Sequence, residues 1–328
     1  MKLVSFFSGS GGLDLGFKKA GFEVVWANEY DKSIWETFEK NHRKTYLDKR
    51  SITNIPSNEI PECDGIIGGP PCQSWSAAGA KRGINDSRGK LFFDFIRVIE
   101  DKNPKFFLAE NVAGMLTEKN SYALKNIKEL FENGGSGYNL SFKLLNAKNY
   151  NVPQDRKRVF FIGFRKDLKK NFTFPNESKK LTSLRDAIYD LRETATEAYD
   201  KYGSNKQSCA IPNHEYLNID YSPIYMSRNR VRNWDEQSFT IQAGGRHAPI
   251  HPQAPKMILI DKDKRIFDPS CIELYRRLSV RECARIQTFP DSFNFYYDNI
   301  LNGYKMIGNA VPVNLAYSIA KKIKSYKL

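Results

Sequence analysis

Four short motifs in this 328-residue chain gather residue types that covalent and proton-transfer chemistry use. In Gly68-Gly69-Pro70-Pro71-Cys72-Gln73, two prolines restrict the backbone just before a cysteine that lies outside any apolar run. A thiol nucleophile needs that setting: a fixed position, partial exposure and surroundings that favour the thiolate. Cys63 and Cys283 have no such context and read as inert structural thiols. Glu110-Asn111 follows the apolar run Phe106–Ala109, where a partly desolvated carboxyl has a raised pKa and can donate a proton. Phe7-Ser8-Gly9-Ser10-Gly11-Gly12 lets the backbone turn sharply and approach a ligand. Asp14 stands where G-x-G-x-x-G has its third glycine, so this is not the full dinucleotide fingerprint. Glu29 closes the next apolar run, a position from which an acid commonly holds ribose hydroxyls.

All four motifs fall at the ends of expected strands. Apolar runs at Leu3–Phe7, Val24–Ala27, Gly65–Ile67, Phe106–Ala109 and Val159–Phe164 alternate with helical periodicity at Leu13–Ala20, Lys32–Glu39 and Leu91–Ile99. Short, nearly continuous apolar strands separated by helices predict an α/β fold, a doubly wound and mostly parallel sheet covered on both faces. In such sheets the ligand crevice lies outside the carboxyl ends of the strands, which is where the motifs converge. The alternation decays after about Lys166, leaving one expected helix in the stretch from Lys179 to Glu193. After Pro312, Leu315, Ile319 and Ile323 recur every four residues, predicting a final helix that packs back on the first domain. The expected division is 1–174 with 303–328 as a catalytic, cofactor-binding domain, and 175–302 as a smaller target-recognition domain with a hinge.

With 51 Lys and Arg against 37 Asp and Glu, the net charge of +14 favours a polyanionic partner. No stretch approaches a membrane span, and the N-terminal apolar run is too short for a signal-peptide core. Five cysteines without a C-x-x-C pair argue against a zinc ribbon or disulfide scaffold and for a reducing, cytoplasmic setting. His247 and His251 are four apart, but with no carboxylate or cysteine in the pattern a metal is not expected.

The chain resembles the DNA (cytosine-5) methyltransferases. The resemblance rests on Phe7–Gly12, Pro70–Gln73, Glu110–Val112, Q-x-R-x-R at Gln154–Arg158, R-E-x-A-R-x-Q-x-F-P at Arg281–Pro290 and Gly308–Pro312, in the family's order over nearly the whole chain. It implies S-adenosyl-L-methionine as cofactor and double-stranded DNA as partner. Cys72 would attack C6 of a flipped-out cytosine, and Glu110 would meet N3 of the same base. Arg156 and Arg158, two apart on an expected strand, would face one side and hold the flipped nucleotide. The cofactor would lie against Phe7, Ser8, Gly9, Gly11, Gly12, Leu13, Glu29, Tyr30, Ser51, Ile52, Pro71, Leu91, Asn309 and Ala310. The family usually has Asp where Ser51 stands, so the adenine contact differs here.

Ser227-Arg228-Asn229-Arg230-Val231-Arg232 would present three arginines on one face if it were a strand. Arginine can bind guanine O6 and N7 bidentately; contact with phosphate alone would position without specifying. With Arg246, this segment is similar to family members that recognise GGCC and methylate its inner cytosine. The expected protein is a monomer, functionally paired with a cognate restriction endonuclease. The alternatives are an RNA (tRNA) cytosine-5 methyltransferase, an NAD(P)-dependent oxidoreductase on the same sheet, and a DNA-binding protein without activity.

Overall fold

The computed structural model describes residues 1–71, 87–117, 121–205 and 209–328. Cys72 and Gln73 lie outside the described residues. The chain divides into two compact units: 1–146, 157–177 and 315–328 form the first, and 147–156 with 178–314 the second. The observed division assigns 147–156 and 303–314 to the second unit, whereas the expected boundary placed both in the first.

The first unit opens with β1 (Lys2–Phe6), α1 (Gly12–Lys19), β2 (Glu23–Asn28), α2 (Trp35–Asn41), β3 (Tyr46–Asp48) and β4 (Gly65–Gly68). It continues with α3 (Ser87–Lys102), β5 (Phe106–Val112), α4 (Ser121–Asn133), β6 (Tyr138–Asn146) and β7 (Lys157–Arg165). The seven strands form one sheet in the order β3-β2-β1-β4-β5-β7-β6. Every pairing is parallel except those of β7, which runs antiparallel to both β5 and β6. Leu3, Val4 and Phe6 of β1, Ile66 and Ile67 of β4, and Phe106 to Ala109 of β5 are fully buried, as strands covered on both faces require. On one face Phe92, Phe95, Ile96 and Ile99 of α3 join Val4, Phe6, Trp26 and Ile66 in the main core.

The sheet is thus the expected α/β arrangement, with two strands that the apolar runs did not reveal. β3 is three residues long, and β6 is an edge strand whose Phe142, Lys143 and Leu144 are exposed, so neither carries a buried run.

The second unit is built from short pieces. Ser183 closes a capping box at α5 (Leu184–Ile188), so the expected long helix is one short helix followed by a 3-10 turn at Tyr189–Leu191. Next come β8 (Thr196–Glu197), β9 (Glu215–Tyr216), α6 (Pro223–Met226) and a hairpin of β10 (Ile258–Asp261) and β11 (Lys264–Ile266). Then follow α7 (Val280–Ile286) and α8 (Ile300–Asn309). The unit division falls inside the last helix, α9 (Val313–Lys324), which follows Pro312. Its Leu315, Ile319 and Ile323 are fully buried, and Lys324 Nζ donates to the carbonyls of Ala20 and Gly21.

Candidate active site

The loop between β1 and α1 is a chain of left-handed residues: Phe7 at φ 52°, Gly9 at 55° and Gly11 at 86°. The last two are what glycine permits. Phe7 adopts the same region at a steric cost; its ring packs partly buried against the core beside Phe95. The turn is tied to the end of β2. Ser8 N–H donates to the Asn28 carbonyl at 3.1 Å, and Gly9 N–H donates to Glu29 Oε2 at 2.9 Å. Glu29 Oε1 accepts from Asp31 N–H at 2.8 Å. Glu29 is therefore oriented by two backbone amides.

Several features fit a nucleoside-bearing group. A Cβ on Gly9 would meet nothing within 4 Å, so the turn borders open space. Tyr30 is 72% exposed, leaving a ring face for stacking. Ser51 starts the 3-10 turn Ile52–Asn54, and its hydroxyl lies 2.9 Å from Thr53 Oγ1. Leu91 of α3 is half-buried against the core, and Pro71 is exposed.

Other residues expected at the cofactor are buried, bonded within the protein or in the second unit. Ile52 is 1% exposed, so its side chain belongs to the core and its carbonyl accepts from Arg97 Nη2 at 3.3 Å. Gly11, Gly12 and Leu13 are buried, and the Cβ position of Gly11 is filled by the His42 ring. Asn309 and Ala310 belong to the second unit, where Asn309 is exposed and the Ala310 carbonyl is bonded to Arg156.

At the ends of β4 and β5 a second cluster forms. Glu110 Oε1 lies 3.0 Å from Arg158 Nε, and both side chains are largely covered. Antiparallel pairing of β5 with β7 brings them together, with Val112 opposite Arg158 and Glu110 opposite Phe160. A Cβ on Gly69 would come 3.2 Å from Glu110 Oε2, so the glycine allows the carboxylate to lie against the loop. Asn111 is buried and donates from Nδ2 to the Pro70 carbonyl at 3.0 Å, fixing the loop two residues before Cys72. The described part of the expected site thus comprises Gly69, Pro70, Pro71, Glu110, Asn111 and Arg158.

Arg156 is a correction. β7 begins at Lys157, so Arg156 precedes the strand and does not share a face with Arg158. It is 1% exposed, and its guanidinium donates to the carbonyls of Ile241, Gly308 and Ala310 within the second unit. A guanidinium committed to three backbone carbonyls ties segments of chain together.

The arginine row also differs from expectation. No strand forms at 227–232, where only Val231 makes an isolated bridge, to Ile250. Arg230 donates to the carbonyls of Tyr225 and Ile224 and lies over the Tyr225 ring. Arg232 pairs with Glu236 at 3.0 Å and covers the Phe239 ring. Arg228 is exposed, and Arg246 is exposed with Nη2 donating to the Tyr202 hydroxyl. Behind them lies a buried polar knot. Burial alone would raise the Glu282 carboxyl, but Arg276 and His251 beside it hold it well below the usual range. His251 is therefore occupied at Glu282, while His247 is exposed.

Three supports were not legible in sequence: Arg97 on α3, and Lys18 and His42 under the glycine turn. Each is a polar residue on a helix or at its end; Arg97 has a local ion pair with Asp94, but the contacts that brace the distant loop and the glycine turn are 24 or more residues away, so no local spacing marks them. Asn111 was visible as a motif letter, but its bond to Pro70 was not.

No helix among the described residues is long and apolar enough to cross a membrane. The profile of the family described as C-5 cytosine-specific DNA methylase matches residues 1–325. The chain is 59% identical to the Type II methyltransferase M.FnuDI of Fusobacterium nucleatum, covering 99% of this chain and 94% of that one. It is 55% identical to M.NgoPII of Neisseria gonorrhoeae, covering 99% and 95%. Among solved structures, an E. coli prophage-encoded chain described as a DNA modification methyltransferase superposes with a TM-score of 0.75 at 25% identity, over 100% of this chain and 99% of that one. The S. pombe Dnmt2 methyltransferase shares the fold, with a TM-score of 0.65 at 19% identity and full coverage of both chains. With a match over nearly its whole length and relatives this similar, the chain belongs to the C-5 cytosine-specific DNA methylase family.

Proposed function

We propose that this enzyme is the modification methyltransferase of a Type II restriction system, acting on the inner cytosine of GGCC in duplex DNA. The observation that carries the chemistry is the Glu110–Arg158 pair beside Gly69, with Asn111 anchoring the loop that leads to Cys72. Cytosine C5 is a poor nucleophile, and a base within a duplex is out of reach, so the target must be flipped into the pocket. The Cys72 thiolate adds to C6, and Glu110 meets N3 and stabilises the electron-rich ring. Arg158 keeps the Glu110 carboxyl aimed across the loop. C5 then takes the methyl group, and loss of the C5 proton breaks the Cys72–C6 bond and returns the thiolate.

S-adenosyl-L-methionine supplies the methyl group on a sulfonium centre, which departs as a neutral thioether. Glu29, oriented by Gly9 and Asp31, would hold the ribose hydroxyls, and Tyr30 would stack on the adenine. The first unit would bind cofactor and perform catalysis, and the second would read DNA. The GGCC reading is supported by the likeness of the 227–255 segment to GGCC-recognising members and by exposed Arg228 and Arg246, whose guanidinium groups suit guanine edges.

The test is incubation with labelled S-adenosylmethionine and plasmid DNA, followed by bisulfite sequencing, for the wild type and Cys72→Ala. Protected cytosines confined to the third base of GGCC are expected, with none in Cys72→Ala. Protection at another site overturns the target assignment; label in tRNA but not DNA overturns the substrate; turnover by Cys72→Ala overturns the nucleophile.

A further inference from the structure

The glycine turn is held from within by a buried histidine. His42 is 1% exposed, ends α2, and stacks on Phe38 with ring centroids 4.4 Å apart and planes 20° from parallel. Its Nδ1 lies 2.9 Å from Lys18 Nζ, and its Nε2 lies 3.3 Å from the Ser10 carbonyl. A lysine ammonium only donates, so Nδ1 must accept, and the ring proton must sit on Nε2, aimed at Ser10. Lys18 is itself fixed, donating to Thr45 Oγ1 at 2.9 Å, and Thr45 Oγ1 donates to the Val24 carbonyl at 2.7 Å. The polar chain thus runs from β2 through Thr45, Lys18 and His42 to the turn.

Its endpoint is one peptide unit. The Ser10 carbonyl accepts from His42, while the N–H of the same peptide, on Gly11, donates to the Ser8 carbonyl at 2.9 Å. Both polar ends of that peptide are therefore pinned, next to Gly11, whose left-handed backbone would otherwise let the plane rotate. The His42 ring also occupies the space where a side chain at Gly11 would lie.

We propose that His42, with its tautomer set by Lys18, is a positioning residue that holds the Ser10–Gly11 peptide in the orientation needed for cofactor binding. It acts through the turn and touches no reacting atom. The inference rests on the proposed function, in which this turn binds S-adenosylmethionine.

The test is direct cofactor binding by the full chain without DNA, using titration calorimetry with S-adenosylmethionine and hydrogen exchange at the Gly9–Gly12 amides. His42→Phe keeps the stack on Phe38 and loses both nitrogens. It should weaken cofactor binding about tenfold and speed exchange in the turn, as loss of one well-placed hydrogen bond implies. DNA affinity should be unchanged, and His42→Gln, which keeps a donor, should recover most of the loss. Lys18→Met frees the tautomer with less disturbance of the core and should weaken cofactor binding in the same direction. It serves as the readout if His42→Phe does not fold. Glu29→Ala separates the inference from its premise. If the wild type fails to bind the cofactor, or Glu29→Ala binds as wild type does, the reading of the turn falls and this inference with it. If Glu29→Ala weakens binding but His42→Phe and Lys18→Met lower only thermal stability, the positioning role alone is overturned.

Discussion

Asp14 and His42, both buried in the first unit, make stability depend on pH in opposite directions. Burial lifts the Asp14 carboxyl from 3.8 to about 6, against the pull of Ser5 and Lys18. Burial, with Lys18 adding repulsion, lowers His42 from 6.5 to about 3. The signs depend on which state holds the proton. The folded state keeps a proton on Asp14 that the unfolded chain releases, so this residue's contribution is lost as pH rises from about 4 to 6. His42 does the reverse: the unfolded chain takes up a proton that the fold refuses, so stability is lost as pH falls below 6.5. Asp14→Asn should therefore uncover the His42 slope. In urea titrations between pH 4 and 6, the stability difference between variant and wild type should change by about 1.4 kcal/mol per pH unit, favouring the variant as pH rises. Parallel profiles would remove Asp14 as the source. At this scale the sequence told half the story. Glu110, Glu29 and the prolines before Cys72 were legible because each sits at the end of an apolar run. Arg156 was not, because two arginines spaced two apart read alike until the start of β7 separates them. One is then bonded to Glu110 and the other to backbone carbonyls.

Helix α3 comes directly after the segment that carries Cys72, and it also braces the loop that carries Ser51. Arg97 Nη2 donates to the carbonyls of Ile52 and Ile55, and its Nη1 donates to Ser57 Oγ at 2.5 Å. Asp94 fixes the guanidinium from one turn back at 2.9 Å. Removing Arg97 would take this donor from the Ile55 carbonyl, while the Ile52 carbonyl would keep the Ile55 N–H; loss of such a bond costs about 1–3 kcal/mol. Arg97→Met should therefore speed amide exchange at Ile52–Glu59 while leaving the Glu110 region protected; unchanged exchange in that loop would show that the brace is idle. Elements such as β1, β4 and β5 were legible because burial on both faces writes an unbroken apolar run. The segment 227–232 was not: three alternating arginines suggest a strand face, yet no neighbouring strand supplies the ladder, and two of the side chains fold back onto Tyr225 and Phe239. Alternation specifies a strand only where a partner strand exists.

For the molecule as a whole, an excess of 14 positive charges implies a partner whose release of counterions drives binding. Affinity for duplex DNA should fall steeply with added salt, by about 10³-fold or more between 50 and 200 mM if six or more phosphates are neutralised. A flat titration by fluorescence anisotropy would break the link between net charge and DNA. The two-part organisation was legible in outline, since the strand–helix alternation stops near Lys166 and order returns after Pro312. The boundaries were not, because membership is decided by contacts distant in sequence: Arg156 draws its segment to Ile241 and Gly308, a commitment no local pattern records.

The return of the chain to its starting unit has a consequence for its birth on the ribosome. Residues 178–314 are made as one continuous block and can begin to fold while the exit tunnel still encloses 315–328. The sheet unit must wait for 315–328, which supply Leu315, Ile319 and Ile323 to its core and Tyr326 to the Phe164 and Phe172 rings. A half-made chain therefore exposes the apolar surface that α9 later covers. Emergence of α9 is in this sense a checkpoint for the first unit: a helix made after the whole of 178–312 closes the unit begun by β1.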